Sequence, residues 1–375
     1  MADEKLQRTQ LYDWHVAHGG RMVPFAGWEM PVQYPSGPTV EHQATRTAAG
    51  LFDIDHMGQI EVHGPDAERF VNHVVSYDVT KMAHHDAHYA MFCYADGTVI
   101  DDLFVYKMAE PEGGAVYFFL AVNASNRHKD VAWVQAHARG YDVTVTDISD
   151  ETYMLAFQGP KAPEIMNRLT QVDLNAVARF TAAEDTILGD VPLLLGRTGY
   201  TGEDGFELFF PASQAVRVWE AILGAGKEDG VLPIGLAARD SLRFEACMPL
   251  YGHEISSELT PVEAGLTFAL SLDKDFIGRD ALLKVKLEKS ARVLVGLEMT
   301  GRGVAREHYV VQKDGQDVGW VTSGMFGPTP EKFLAMAYVP RELAGRGTAV
   351  DVVIRGKPVG AVVVKKPFYV PAYRR

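Results

Sequence analysis

The stretch Arg197-Thr-Gly-Tyr-Thr-Gly-Glu-Asp-Gly-Phe-Glu207 is entered from an apolar run, Asp190-Val-Pro-Leu-Leu-Leu-Gly196, and left through Phe206-Glu-Leu-Phe-Phe210. Two such runs around a glycine-rich middle predict two strands joined by a loop. Gly199, Gly202 and Gly205 recur at every third position. Glycines at such points supply positive φ or let a ligand or another backbone come close. The exit strand alternates, which puts Phe206, Leu208 and Phe210 on one face and Glu207 on the other. A carboxylate fixed in a strand beside an aromatic, glycine-lined loop is suited to receive paired N–H donors.

Working outward, the same alternation of strands and short helices covers most of the chain. Upstream, helices are predicted over 9–17, 38–49, 67–75, 125–138 and 160–169. Strands are predicted over 51–63, 89–94, 99–106, 115–123 and 153–158. The aromatic and proline-dense segment 22–34 reads as extended and loop-like. Downstream, helices are predicted over 213–223 and 234–247, the second placing Arg239 and Arg243 four apart on one face. A connector is expected around 273–280. From Arg292 onward almost everything is strand, at 292–299, 308–313, 317–322, 333–339, 348–355 and 358–365, a small all-β barrel or sandwich. Hairpin-linked strands mixed with short helices give an α+β class with antiparallel sheets.

Composition narrows the function. The 375 residues are 47% hydrophobic and 23% charged, in the range of an ordinary globular protein of two or three domains. The net charge of -13, from 49 acidic and 36 basic side chains, argues against nucleic acid as the main partner. Only Cys93 and Cys247 occur, so no disulfide framework is implied. The N-terminal segment lacks a signal-peptide core and no run is long and apolar enough for a membrane span, which leads to the expectation of a cytoplasmic protein with no membrane partner.

Several groups are candidates for chemistry. Asp101-Asp102 interrupts the apolar strand Val99-Ile-Asp-Asp-Leu-Phe-Val105. Neighbours in a strand face opposite ways, so one carboxylate points inward and is either paired or functional. The alternative is an edge strand with one Asp in solvent and the other capping a turn. His84, His85 and His88 read as a solvated turn, since no further metal ligands are in evidence and metal is not expected. Arg239 and Arg243 lie among Asp240 and Glu245 and read either as an ion-pair network or as forked donors for an anionic or carbonyl-bearing ligand. The phosphate-loop, dinucleotide and nucleophile-elbow motifs are absent.

Together these stretches resemble the glycine cleavage T-protein family. The resemblance rests on residues 22–34, Asp55-His-Met-Gly58, Ile100-Asp-Asp-Leu103, Val122-Asn-Ala-Ser125, Gln158-Gly-Pro160, the opening stretch, 235–246, Leu250-Tyr-Gly-His-Glu254, Val321-Thr-Ser-Gly324 and Lys366-Pro-Phe368. It covers nearly the whole chain in the family's order. It implies a three-lobed cloverleaf: two interleaved antiparallel-sheet lobes in a folate-binding region over 1–275, then a β-barrel over 285–375. It also implies an aminomethyltransferase that moves the methylene carbon of an aminomethyl group, carried on the lipoyl arm of the H-protein, to tetrahydrofolate with release of ammonia.

By this resemblance Glu207 binds the pterin and Tyr200 packs near it. Asp102 sits by the reacting nitrogens and does electrostatic and proton work. Arg239 and Tyr373 contact the ligand, and Tyr89 and Asn123 lie near the folate channel. The chain departs from the family pattern at Asp55, often Ser, at Cys247, often Gly, and at 306–309 and 324–330. Two other roles are compatible with the scaffold, a tetrahydrofolate-dependent demethylase and a folate-binding protein of iron–sulfur assembly or repair.

Overall fold

Strands Val191–Gly196 and Gly205–Pro211 pair antiparallel, with Gly196 opposite Glu207. In the computed structural model, which describes residues 6–110 and 115–374, this hairpin lies inside a six-stranded sheet. The spatial order is Ala182–Ile187, Val191–Gly196, Gly205–Pro211, Thr152–Gln158, Gly50–Asp53 and Leu232–Pro233. The inward positions of the exit strand are the expected ones: Phe206, Leu208 and Phe210 join Leu155, Phe157 and Leu195 in one buried cluster. Trp219, from the helix Ala215–Ala225, completes that cluster. Removing such side chains from water supplies roughly 1.5–3 kcal/mol each and fixes the register of the sheet.

The alternating run 51–63 is not one strand, as the sequence suggests, but two strands in two sheets. Gly50–Asp53 belongs to the six-stranded sheet, and Gly58–His63 pairs with Val116–Val122 and Thr144–Asp147 in a second, five-stranded sheet. The second sheet runs Ala87–Cys93, Val99–Ala109, Val116–Val122, Gly58–His63, Thr144–Asp147. The chain thus leaves the first sheet after Asp53, builds the second, and returns at Thr152, so the two sheets are interleaved in sequence. The two strands are joined by a turn at 54–57, where the Ile54 N–H donates to the Met154 carbonyl and the Met57 N–H to the Ile54 carbonyl.

Other differences are local. The segment 22–34 is a β-hairpin, Arg21–Phe25 with Trp28–Gln33, rather than an irregular segment. A two-stranded ribbon is all edge, so Pro24 and Pro31 remove no ladder bond from a central strand. The strand Ala182–Ile187 and the helix Arg279–Glu288 are both additional to the sequence reading.

Six antiparallel strands, Arg292–Met299, Val310–Lys313, Gln316–Gly327, Lys332–Pro340, Ala349–Ile354 and Lys357–Val364, close into a barrel. Its interior is filled by small and branched side chains such as Val295, Leu297, Val321, Ala335, Ala337 and Val352. The chain divides into two compact units. One consists of the described residues up to Ala90 with Asp102–Asp240, the other of Met91–Asp101 with the described residues from Ser241 onward. Among the described residues no helix is long and apolar enough to cross a membrane.

Candidate functional site

Glu207 is 7% exposed although it is a carboxylate in the middle of a strand. Two hydroxyls compensate: Thr198 Oγ1 donates to Glu207 Oε2 at 2.5 Å, and the Tyr106 hydroxyl donates to the same oxygen at 3.1 Å. Among the described residues both hydrogen bonds fall on Oε2, which leaves Oε1 with its acceptor capacity intact. Burial pushes the Glu207 carboxyl above its ordinary range, while Thr198, Tyr106 and the charge of Arg239 pull in the opposite direction. Gly196, directly opposite Glu207, gives the Tyr106 ring its place, since a Cβ there would meet that ring at 2.7 Å.

The glycine-rich loop is pinned on several sides. Arg197 holds Asp204 through two parallel bonds, Nε to Oδ1 at 3.1 Å and Nη2 to Oδ2 at 2.7 Å. Arg46, from the helix Pro38–Thr47, bonds the Thr201 carbonyl at 2.7 Å and Glu203 at 3.0 Å, and both side chains of that ion pair are buried. Gln158 donates to the Thr198 and Phe206 carbonyls. At Gly205 the φ of 154° and the Phe157 carbonyl, which a Cβ would approach to 2.4 Å, admit no side chain. Glu203 and Asp204 therefore hold the loop, while Glu207 keeps one carboxylate oxygen outside the hydrogen bonds made by Thr198 and Tyr106.

Arg239 comes to this place from the helix Leu236–Glu245. Its guanidinium lies 5.3 Å from the centroid of the Tyr200 ring, and Nη2 is 3.9 Å from the Met57 sulfur. The structure thus brings Glu207, Tyr200 and Arg239 together.

Asp102 is held from two sides. The Tyr89 hydroxyl donates to Oδ2 at 2.8 Å, and Asn123 Nδ2 donates to Oδ1 at 2.7 Å and to the Asp102 carbonyl at 3.1 Å. A donor on each oxygen, the Tyr89 hydroxyl and Asn123 Nδ2, fixes the plane of the carboxylate. Its neighbour Asp101 is wholly buried, and the strand lies between Ala87–Cys93 and Val116–Val122 in the sheet, which rules out the edge-strand reading. In the strand Val99–Ala109, Asp102, Phe104 and Tyr106 share one face by the two-residue repeat. Asp102 and the Tyr106 that touches Glu207 thus stand about 13 Å apart on one rigid element. Tyr106 and Thr198 do not stand out in the sequence. The alternation of the 99–106 strand carries the signal for Tyr106, and Thr198 lies inside the opening stretch. Tyr373 belongs to the second unit, in the closing turn Ala372–Arg374, where it is 40% exposed.

His56 lies on the crossing segment beside Met57. It is 1% exposed, with its ring edge-on to Phe25 at 5.4 Å between centroids. Among the described residues neither ring nitrogen has a hydrogen-bond partner. An unmade bond at a buried polar atom costs about 1–3 kcal/mol. Burial and the nearby positive charge of Arg239 push the imidazole down to about 3, so it is neutral at physiological pH.

The remaining candidates are structural. Arg243 pairs with Glu254 at 2.8 Å, both buried, and donates to Ser323 at 3.1 Å. The two arginines on one helix therefore do different work, Arg243 in an ion pair and Arg239 beside the glutamate. His88 stacks on Tyr77, and His85 faces Glu184 at 3.6 Å. Among the described residues no group of three or more His, Cys, Asp or Glu is arranged to hold a metal. Burial pushes both thiols up to about 12, which disqualifies Cys93 and Cys247 as nucleophiles at neutral pH.

A buried, hydroxyl-braced glutamate thus lies near an arginine and a tyrosine, and the strand that carries its Tyr106 brace also carries an aspartate held by Tyr89 and Asn123. Residues 11–274 match the family described as the GCVT N-terminal domain, and 292–369 match the glycine cleavage T-protein C-terminal barrel domain. An aminomethyltransferase of Symbiobacterium thermophilum is 49% identical over 100% of both chains. One of Desulforamulus reducens is 46% identical over 98% of this chain and 99% of its own. The crystal structure of glycine cleavage system aminomethyltransferase T from Bartonella henselae has a TM-score of 0.91 at 35% identity, covering 99% of this chain and 100% of that one. The class is that of the aminomethyltransferases. The chain belongs to the glycine cleavage T-protein family. These relatives lend no support to the demethylase or iron–sulfur readings.

Proposed function

We propose that this aminomethyltransferase takes tetrahydrofolate as acceptor and the aminomethyl group on the lipoyl arm of the H-protein as donor. The observation that carries the reading is the buried Glu207 carboxylate, braced by Thr198 and Tyr106 on one oxygen and flanked by Arg239. The pterin edge presents a ring N–H beside an amino group, a donor pair that one carboxylate accepts in parallel. Tyr200 lines the wall. Folate binding falls to the 1–275 region, with the barrel over 285–375, and the reaction is cytoplasmic.

In this reading Asp102 orients the folate nitrogen that attacks the methylene carbon. Its negative charge stabilises the cationic character that develops as the carbon–nitrogen bond breaks and ammonia leaves. Tyr89 and Asn123 hold that carboxylate in place. The carbon–sulfur bond then breaks as the second folate nitrogen bonds the carbon, leaving methylene-tetrahydrofolate and the reduced lipoyl thiols. The attacking atom belongs to the folate, which accounts for two inert cysteines.

Titration of the protein with tetrahydrofolate tests the assignment. The Glu207→Ala variant is expected to bind about 2–5 kcal/mol more weakly, the scale of cutting a buried charge-assisted pair. Wild-type affinity in that variant removes the pterin assignment.

A further inference from the structure

The crossing segment at 54–57 carries a buried polar group outside the site residues Glu207, Arg239 and Asp102. His56 is buried, and its contact with Phe25 is edge-on, which uses ring carbon and hydrogen and neither nitrogen's hydrogen-bonding capacity. Among the described residues its two nitrogens serve nothing in the chain. Buried polar groups left unmet in this way call for an explanation outside the fold itself. The next residue, Met57, touches Arg239, and the charge of Arg239 bears on both His56 and Glu207. The imidazole and the pterin-clamp carboxylate therefore share one guanidinium as neighbour.

We propose that His56 is a further ligand-binding residue of this site, whose ring nitrogens make, directly or through one bridging water, a hydrogen bond to bound folate that the fold does not give them. The proposal rests on the pterin reading of Glu207. The nitrogens are closed to solvent, so the bond forms as the 54–57 segment and Arg239 adjust around the ligand, a side-chain-scale rearrangement common on binding. The low basicity of the ring fits this role. A neutral imidazole offers one donor and one acceptor and adds no second positive charge beside Arg239.

His56→Phe keeps the ring and deletes both nitrogens, and His56→Gln keeps a donor and an acceptor without the ring. Thermal unfolding and tetrahydrofolate titration are measured for both and for wild type. The expected result is a Phe variant that melts no lower than wild type and binds tetrahydrofolate at least fivefold more weakly. Its KM for folate should rise while kcat is kept within threefold, and the Gln variant should recover most of the affinity. A Phe variant that binds within less than fivefold of wild type overturns the proposal. So does one that fails to fold, because the nitrogens would then serve the chain itself. Failure of wild type to bind tetrahydrofolate removes the pterin reading instead, and the two failures are thus separable.

Discussion

At Asp102 charge and shape are separable. Tyr89 and Asn123 bond its two oxygens, and an amide in its place keeps the outline but loses the charge. Asp102→Asn is expected to bind tetrahydrofolate within a few-fold of wild type and lose at least 100-fold in turnover, within the range of removing electrostatic stabilisation of a transition state. Unchanged turnover, measured in single-turnover assays, removes Asp102 from the mechanism. Glu207 makes the pH argument. Burial raises its carboxyl, so the fold prefers the neutral form, and the cost of the buried charge at neutral pH is relieved as pH falls through the raised value. In the proposed site folate pairs with the charged form, so its binding is expected to be lost over the same interval, at higher pH than for an ordinary glutamate. Glu207→Gln should abolish that pH dependence, together with most of the affinity, without lowering stability at pH 7. Both residues are legible in the sequence because a carboxylate inside an apolar strand is costly and rare. Tyr106 is not legible in the same way: a tyrosine in a core strand is ordinary until Thr198 and Glu207 are seen to meet it.

At the level of elements, the glycine-rich hairpin and the crossing at 54–57 carry the site. Gly205 cannot hold a side chain, because of its φ and the Phe157 carbonyl. Gly205→Ala is expected to cost more than about 1 kcal/mol in thermal unfolding and to weaken folate binding by loosening Glu207, two residues on. In the crossing, burial and the neighbouring Asp53 push the Asp55 carboxyl up to about 9, while His15 and Thr9 keep Asp53 below its usual range. The folded pKa of Asp55 lies above the unfolded one, so its contribution is full at acid pH and is lost as pH rises toward 9. Asp55→Asn keeps an acceptor for the Met154 N–H and should be more stable than wild type at pH 8, by more than about 1 kcal/mol, with the difference closing near pH 4. Equal melting across that range would contradict a neutral Asp55. The crossing was hidden in the sequence because alternation reports only that side chains face two ways. It does not say that Gly50–Asp53 and Gly58–His63 pair with different partners.

At the scale of the molecule, two units are built from one chain, and each is held by its own polar core as well as its apolar one. In the second unit Arg243 and Glu254 form a buried pair tied to Thr322 and Ser323. Arg243→Met leaves Glu254 buried and unpaired, and unfolding should show a loss of about 3–5 kcal/mol. The barrel was readable strand by strand because its apolar positions alternate between marked turns, as at Asp314-Gly315. The interleaving of two sheets was not, because it depends on pairings across about a hundred residues that no local pattern encodes. The family motifs, spread along the whole chain, supplied what local patterning could not. The measurement that tests the account most directly is product analysis after incubation with tetrahydrofolate and aminomethylated H-protein. The expected products are methylene-tetrahydrofolate and ammonia in equal amounts, with the lipoyl thiols reduced. Methyl-tetrahydrofolate formed from another donor, or no folate product at all, would contradict it.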